Sequence, residues 1–212
     1  ENGANVNIKW VDAESVTYDS AKEVLKDCDG ILVPGGFGDR GIEGMICAAN
    51  FARVNNIPYL GICLGMQIAV IEFARNVLGM KNATSTEFDK FTTYPVIALM
   101  IDQYGNIPLG GTMRLGAYPC KIKENTMMAK SYESLNISER HRHRYEFNNN
   151  YRDDFIKAGM IIGGTSPDGT LVEAIEISKN KFFVGVQYHP EFKSRPNRAN
   201  PIIKAFIKET IK

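Results

Sequence analysis

The sequence predicts an α/β fold: a central, mostly parallel sheet flanked by helices, with additional strands in the second half. Three observations carry that expectation. Apolar strand-like runs alternate with helical patterns through the first half, joined by short connections, which implies parallel pairing. Two of those runs end in small-residue turns, Pro34-Gly35-Gly36-Phe37-Gly38 and Gly61-Ile62-Cys63-Leu64-Gly65. The second half adds five further apolar runs and the turn signal Ser166-Pro167-Asp168-Gly169. With 212 residues, 44% hydrophobic and 23% charged, the chain is expected to form one domain, residues 1–212, around a sizeable core.

Residues 7–11 read as a strand and residues 20–26 as a short helix. Residues 30–33 read as a buried strand, and Ile42, Met45, Ile46, Ala49 and Ala52 follow helical spacing until Asn55-Asn56. The next strand covers 57–62. Residues 66–78 are apolar on most faces and predict a buried helix. Strands are expected at 96–100, 116–122, 160–164, 171–177 and 182–187. Asn200 and Pro201 suit an N-cap and first helical residue, opening a final helix to 212. Residues 84–112 are the polar, Gly-containing stretch expected to be mobile, and no repeat, low-complexity tract or interdomain linker is evident.

A formal net charge of +1 supplies no global field for nucleic acid or an anionic membrane. No apolar run approaches bilayer-spanning length, and the first residues lack a basic-then-apolar signal pattern. The chain does not begin with Met, which suggests a portion of something longer. Cysteines at 28, 47, 63 and 120 are scattered and show neither C-x-x-C nor metal spacing, so a reducing, cytoplasmic setting and no metal site are expected. Cys28, Cys47 and Cys120 read as packing residues.

Cys63 is different. A sharp strand-to-helix turn would lift its thiol above the sheet at a helix N-terminus, where backbone N–H groups favour thiolate. The Leu64 N–H would point at any oxyanion formed there, and the Gly35-Gly36 turn, on the same edge, would present a second donor. Near the other end, the run 184–187 delivers His189, with Pro190 and Glu191 following. A carboxylate on one imidazole nitrogen leaves the other to face the thiol, giving a Cys63–His189–Glu191 triad for acyl transfer. Read singly, a buried packing Cys, a tight Gly turn and a satisfied His remain open; together they favour catalysis.

The string Gly61-Ile62-Cys63-Leu64-Gly65-Met66-Gln67 with His189-Pro190-Glu191 resembles the class I, triad-type glutamine amidotransferases. Within them, Ser85-Thr86-Glu87-Phe88, Gly110-Gly111-Thr112-Met113-Arg114 and Arg140-His141-Arg142-His143-Arg144-Tyr145 are similar to the glutaminase domains of CTP synthases, over nearly the whole chain. The resemblance implies that Cys63 attacks the side-chain amide of L-glutamine, that His189 protonates the departing ammonia and later activates water, and that Glu191 orients it. It implies oxyanion donors at Gly36 and Leu64, and a glutamine pocket lined by Gly65, Met66 and Gln67. Glu87 would meet the substrate α-ammonium and Arg144 its α-carboxylate. It further implies a separate N-terminal synthetase domain, absent from this sequence, that uses ATP, Mg and UTP and receives ammonia through a channel. GTP is the implied allosteric activator, with Arg40 and Arg114 in segments linked to its action, and the full-length enzyme is implied to be a homo-oligomer, a tetramer. The connection 102–109 is shorter than the family's usual lid. Other readings on the same scaffold are a different class I amidotransferase, a γ-glutamyl hydrolase, a Cys peptidase or a non-catalytic binding domain.

Overall fold

The computed structural model describes residues 2–99 and 113–211. Six helices appear among them: α1 Ala21–Leu25, α2 Ile42–Val54, α3 Leu64–Asn76, α4 Met127–Tyr132, α5 Arg152–Lys157 and α6 Pro201–Thr210. The strands are β1 Ile31–Val33, β2 Tyr59–Ile62, β3 Ala83–Ser85, β4 Tyr94–Leu99, β5 Arg114–Ile122, β6 Asn136–His143, β7 Tyr145–Phe147, β8 Met160–Thr165, β9 Val172–Ile177 and β10 Phe183–Val186. One sheet runs β1-β2-β10-β9-β8-β5-β6, and a smaller one runs β3-β4-β7.

The large sheet is α/β as expected, but mixed where a mostly parallel one was anticipated. β1, β2 and β10 are mutually parallel, whereas β10–β9, β9–β8, β8–β5 and β5–β6 are antiparallel. The cause is connection length. The first-half strands are separated by a crossover helix, while β8 to β9 and β9 to β10 are joined by tight turns that permit only antiparallel return.

Alternate residues of β2 and β10 feed opposite faces of the sheet. Tyr59 and Phe183 pack with α2 and α3 residues such as Ile46, Ile68 and Ile71. Leu60, Val184 and Val186 pack on the other side with Ile202 and Phe206 of α6. Each such buried side chain contributes about 1.5–3 kcal/mol relative to exposure. Two glycines allow α3 to sit directly on the strand ends. A Cβ on Gly65 would lie 2.1 Å from the Val33 carbonyl oxygen, and one on Gly61 would lie 2.4 Å from that of Gly65. The Asn200 side chain caps α6 by accepting from the Ile202 N–H, with Pro201 in the first turn.

Some expectations are corrected. Residues 7–11 are no strand: among the described residues they join no sheet, and Ile8 and Trp10 are 67% and 89% exposed. Their alternating pattern lacks the partner that would turn it into sheet. The stretch 84–99 holds ordered strands, β4 among them, and residues 100–112, including Gly110-Gly111-Thr112 and the short 102–109 connection, lie outside the described residues. Sequence reading also missed β3, β6, β7, α4 and α5. Among the described residues no helix is long and apolar enough to cross a membrane.

Candidate active site

β2 ends at Ile62, and Cys63 occupies the turn before α3 with φ 52° and ψ −101°. A non-glycine residue in this sparsely populated region costs of order 1–3 kcal/mol, and such strain gathers at sites where a side chain must be aimed. The Cys63 N–H donates to the Val186 carbonyl at 2.7 Å, which pins the turn to the end of β10. That same strand end delivers His189, whose backbone N–H donates to the Arg140 carbonyl of β6 at 2.8 Å.

His189 and Cys63 meet over Gly35. A Cβ at Gly35 would lie 2.7 Å from His189 Cε1 and 3.6 Å from Cys63 Cβ. The imidazole is fixed on its far side: Nδ1 lies 2.7 Å from Glu191 Oε1, and the ring stacks on Phe192 with centroids 4.7 Å apart. The Glu191 carboxylate only accepts when ionised, so Nδ1 carries the proton and Nε2 is the free base. Among the described residues, buried His189 Nε2 has no hydrogen-bond partner. The three predicted triad members are thus brought together just beyond the ends of β2 and β10, against the Gly35 turn that follows β1, where open α/β sheets place their sites.

The expected thiolate is not the resting form. Burial pushes the Cys63 thiol up to about 12; the Leu64 N–H opposes this, the Glu191 and Glu87 charges reinforce it, and the Gln187 side chain opposes it. Desolvation therefore outweighs the helix terminus, and the S–H donates to the Arg142 carbonyl at 3.8 Å.

A small cavity of about 20 Å³ opens onto the thiol, lined by Gly36, Phe37, Cys63, Gln67, Glu87, His143, Arg144 and Tyr145. It has room for about one water. Glu87 is half-buried, and that burial raises its pKa; the Gly38 N–H, donating to Oε1 at 3.1 Å, and the Arg144 charge act in the opposite sense. A zwitterion needs an anionic and a cationic partner, and Glu87 and Arg144 supply that pair on one wall. Of the predicted lining residues, Gly36, Gln67, Glu87 and Arg144 face this cavity. Gly65 and Met66 do not: Gly65 packs on Val33, and Met66 is fully buried beneath Gly185. Leu64 lies beside Gly36 with its side chain in the core.

Phe37, His143 and Tyr145 also line the cavity and were not singled out from the sequence. β6 and β7 carry the last two. Behind them runs a buried polar chain: His143 Nδ1 lies 3.1 Å from the Tyr145 carbonyl, His141 Nδ1 lies 3.0 Å from His143 Nε2, and Arg114 pairs with Glu173 at 2.7 Å. Burial, reinforced by the Arg114 charge, lowers His141 to about 2 and His143 to about 3, so both rings are neutral. Arg114, which the resemblance linked to GTP, is committed to this interior pair. Arg40 is exposed and bound to Glu14 at 2.8 Å. Among the described residues, no group of three or more His, Cys, Asp and Glu side chains is placed to hold a metal ion.

Comparison with known proteins identifies the family. Residues 1–209 match the family model "Glutamine amidotransferase class-I". A CTP synthase of Clostridium kluyveri is 59% identical over 210 residues, covering 99% of this chain and 39% of that protein. A Staphylococcus haemolyticus CTP synthase is 55% identical over 208 residues, again covering 39% of the relative. The chain therefore spans about two-fifths of the length of these curated relatives. The solved glutaminase domain of Trypanosoma brucei CTPS with bound acivicin superposes with a TM-score of 0.93 at 43% identity, covering 98% of this chain and 81% of that one. A Thermoplasma acidophilum protein described as a putative GMP synthase subunit shares the fold, with a TM-score of 0.59 at 16% identity. With its elbow, its His–Glu pair and a family match over nearly all its length, this chain belongs to the class I glutamine amidotransferases.

Proposed function

We propose that this chain hydrolyses L-glutamine to glutamate and ammonia through Cys63, His189 and Glu191. The observation that carries the reading is the convergence of a strained, elbow-mounted Cys63 and a Glu191-oriented imidazole on one glycine seat. The resting nucleophile is the thiol. As sulfur attacks the amide carbon of the substrate, its proton passes to His189 Nε2, and Glu191 stabilises the imidazolium. The new oxyanion faces the N–H groups of Leu64 and Gly36. Collapse breaks the C–N bond as His189 returns the proton to nitrogen, releasing ammonia and leaving a glutamyl thioester. Water then attacks, giving a proton to His189, and the C–S bond breaks with its electron pair on sulfur, which regains that proton as glutamate departs.

Glu87 and Arg144 grip the α-ammonium and α-carboxylate, setting the length of side chain that reaches the sulfur. The similarity to CTP synthases supports a larger role. In a protein of their length, the ammonia would pass through a channel to an N-terminal synthetase domain that uses ATP, Mg and UTP to make CTP, in a homo-oligomer subject to GTP activation.

The test is ammonia release from glutamine by this chain and by Cys63→Ala. Cys63→Ala is expected to reduce turnover to background with an unchanged thermal midpoint. A glutamine analogue with a γ-electrophile is expected to label Cys63 and none of Cys28, Cys47 or Cys120. Normal turnover by Cys63→Ala, or a label mapped to another cysteine, overturns the assignment.

A further inference from the structure

Gln187 has no part in the scheme above, yet it touches the nucleophile. Its side chain is fully buried at the exit of β10, two residues before His189. Its Nε2 lies 3.7 Å from Cys63 Sγ. Which end of the amide faces the sulfur follows from a chain of partners. The Tyr145 carbonyl can only accept, so Gln67 presents its NH2 to it, at 2.9 Å. The same Gln67 Nε2 lies 3.3 Å from Gln187 Oε1, which must then be the acceptor. That leaves the Gln187 NH2 facing Cys63. The Tyr145 carbonyl is itself held by His143 Nδ1 at 3.1 Å, and a neutral His143 donates there while accepting from His141 through Nε2. Every amide direction in the row is thereby set by an acceptor that cannot reverse.

We propose that Gln187 is a catalytic residue whose carboxamide N–H holds the Cys63 sulfur and stabilises its negative charge whenever that charge forms, with Gln67 fixing the direction of the donor. The inference rests on Cys63 being the nucleophile. Charge gathers on sulfur twice: when the S–H proton leaves for His189 Nε2 as the C–S bond begins to form, and when the C–S bond of the thioester adduct breaks with its electron pair returning to sulfur. A neutral donor strengthens when its acceptor becomes anionic, so the contact gains most at those two moments. The need is concrete. Burial and the Glu191 and Glu87 charges oppose ionisation of the thiol, and among the described residues the Leu64 N–H and the Gln187 N–H act against them. His143 is neutral on the same cavity wall, and Arg144 is turned to the Glu87 charge.

The test uses Gln187→Met, which keeps bulk and removes the donor, and Gln187→Glu, which keeps shape and replaces the donor with an acceptor. The readouts are the rate of Cys63 alkylation by iodoacetamide between pH 7 and pH 10, located by peptide mass, and the separate kcat and KM for glutamine. Losing a hydrogen bond to an anion is expected to slow alkylation at fixed pH and to lower kcat, each about tenfold, in both variants, with KM unchanged. The alkylation profile is expected to move to higher pH. Because Gln187→Glu retains the shape of the site, a loss shared by both variants reports the donor and not altered access. Alkylation rates and kcat equal to those of the unaltered chain in either folded variant overturn the proposal. Alkylation is read without glutamine turnover, so a chain that fails to hydrolyse glutamine refutes the functional reading while leaving this contact testable.

Discussion

Gly35→Ala is the sharpest probe of the site, because one methyl group would land on the His189 imidazole. The added Cβ would sit 2.7 Å from His189 Cε1, where ordinary contact begins at 3.4 Å. The ring must therefore retreat by about 0.7 Å or rotate. It is held by Glu191 at 2.7 Å, by the Phe192 ring and by its own backbone bond to Arg140, so any retreat loosens the orienting contacts. A misplacement near 1 Å in a catalytic group costs about 10²-fold in rate, or about 2.7 kcal/mol of barrier. The backbone at Gly35 is not in the left-handed region, so alanine adds no backbone strain there. The assay is steady-state glutaminase kinetics beside thermal unfolding. The expectation is kcat down about 50- to 100-fold, KM within about threefold and an unfolding midpoint within a few degrees. A kcat within twofold of the parent would refute the claim that Gly35 is the seat of the imidazole.

Other changes probe other parts. Glu87→Ala is expected to raise the KM for glutamine by about tenfold or more while changing kcat less, since it removes a charge partner of the substrate and none of the reacting atoms; an unchanged KM rejects the role. Arg53→Met removes the cation from the fully buried Glu72 carboxylate, which Arg53 holds through Nε at 2.8 Å and Nη2 at 2.7 Å, and leaves it to the Asn50 and Asn76 amides at 2.8 Å and 3.2 Å. It should cost about 3–5 kcal/mol in urea unfolding, and a loss under 1 kcal/mol would contradict the account. His143 is lowered to about 3 when folded, so above pH 6.5 it is neutral folded and unfolded, while below that the unfolded chain alone takes up the proton. The stability advantage of the parent over His143→Asn is therefore full well above pH 6.5 and lost as pH falls, by about 2 kcal/mol between pH 8 and pH 5. Paired urea titrations at the two pH values measure it, and a constant difference refutes burial of the neutral ring.

Legibility in the sequence depended on how each element buries its side chains. β1, β2, β10 and α3 announce themselves because they are apolar on both faces or nearly all round, and the elbow and His189-Pro190-Glu191 sit at their ends. β6 was hidden for the opposite reason. It alternates with period 2, but its inward set is Glu139, His141 and His143 and its outward set includes Arg140 and Arg142, so no apolar alternation betrays it. Its interior is a hydrogen-bonded polar ladder, and the run reads as a basic loop until the partners are seen. Residues 7–11 erred in the other direction, showing strand periodicity with no strand beside them among the described residues. The protonation of Cys63 was misjudged because position at a helix terminus is written in the sequence, whereas the depth at which the sulfur is desolvated is set by elements far apart in the chain.

The turn that carries Cys63 also limits what the lineage can place there. At φ 52° and ψ −101°, a side chain forked at its β-carbon would collide with the flanking peptide groups. Threonine, although a competent nucleophile elsewhere, is thereby excluded from this post by its methyl group. Drift at this codon is confined to residues unbranched at the β-carbon, so a serine replacement can preserve the elbow's shape, whereas the route to a threonine-based hydrolase is closed unless the elbow itself is rebuilt.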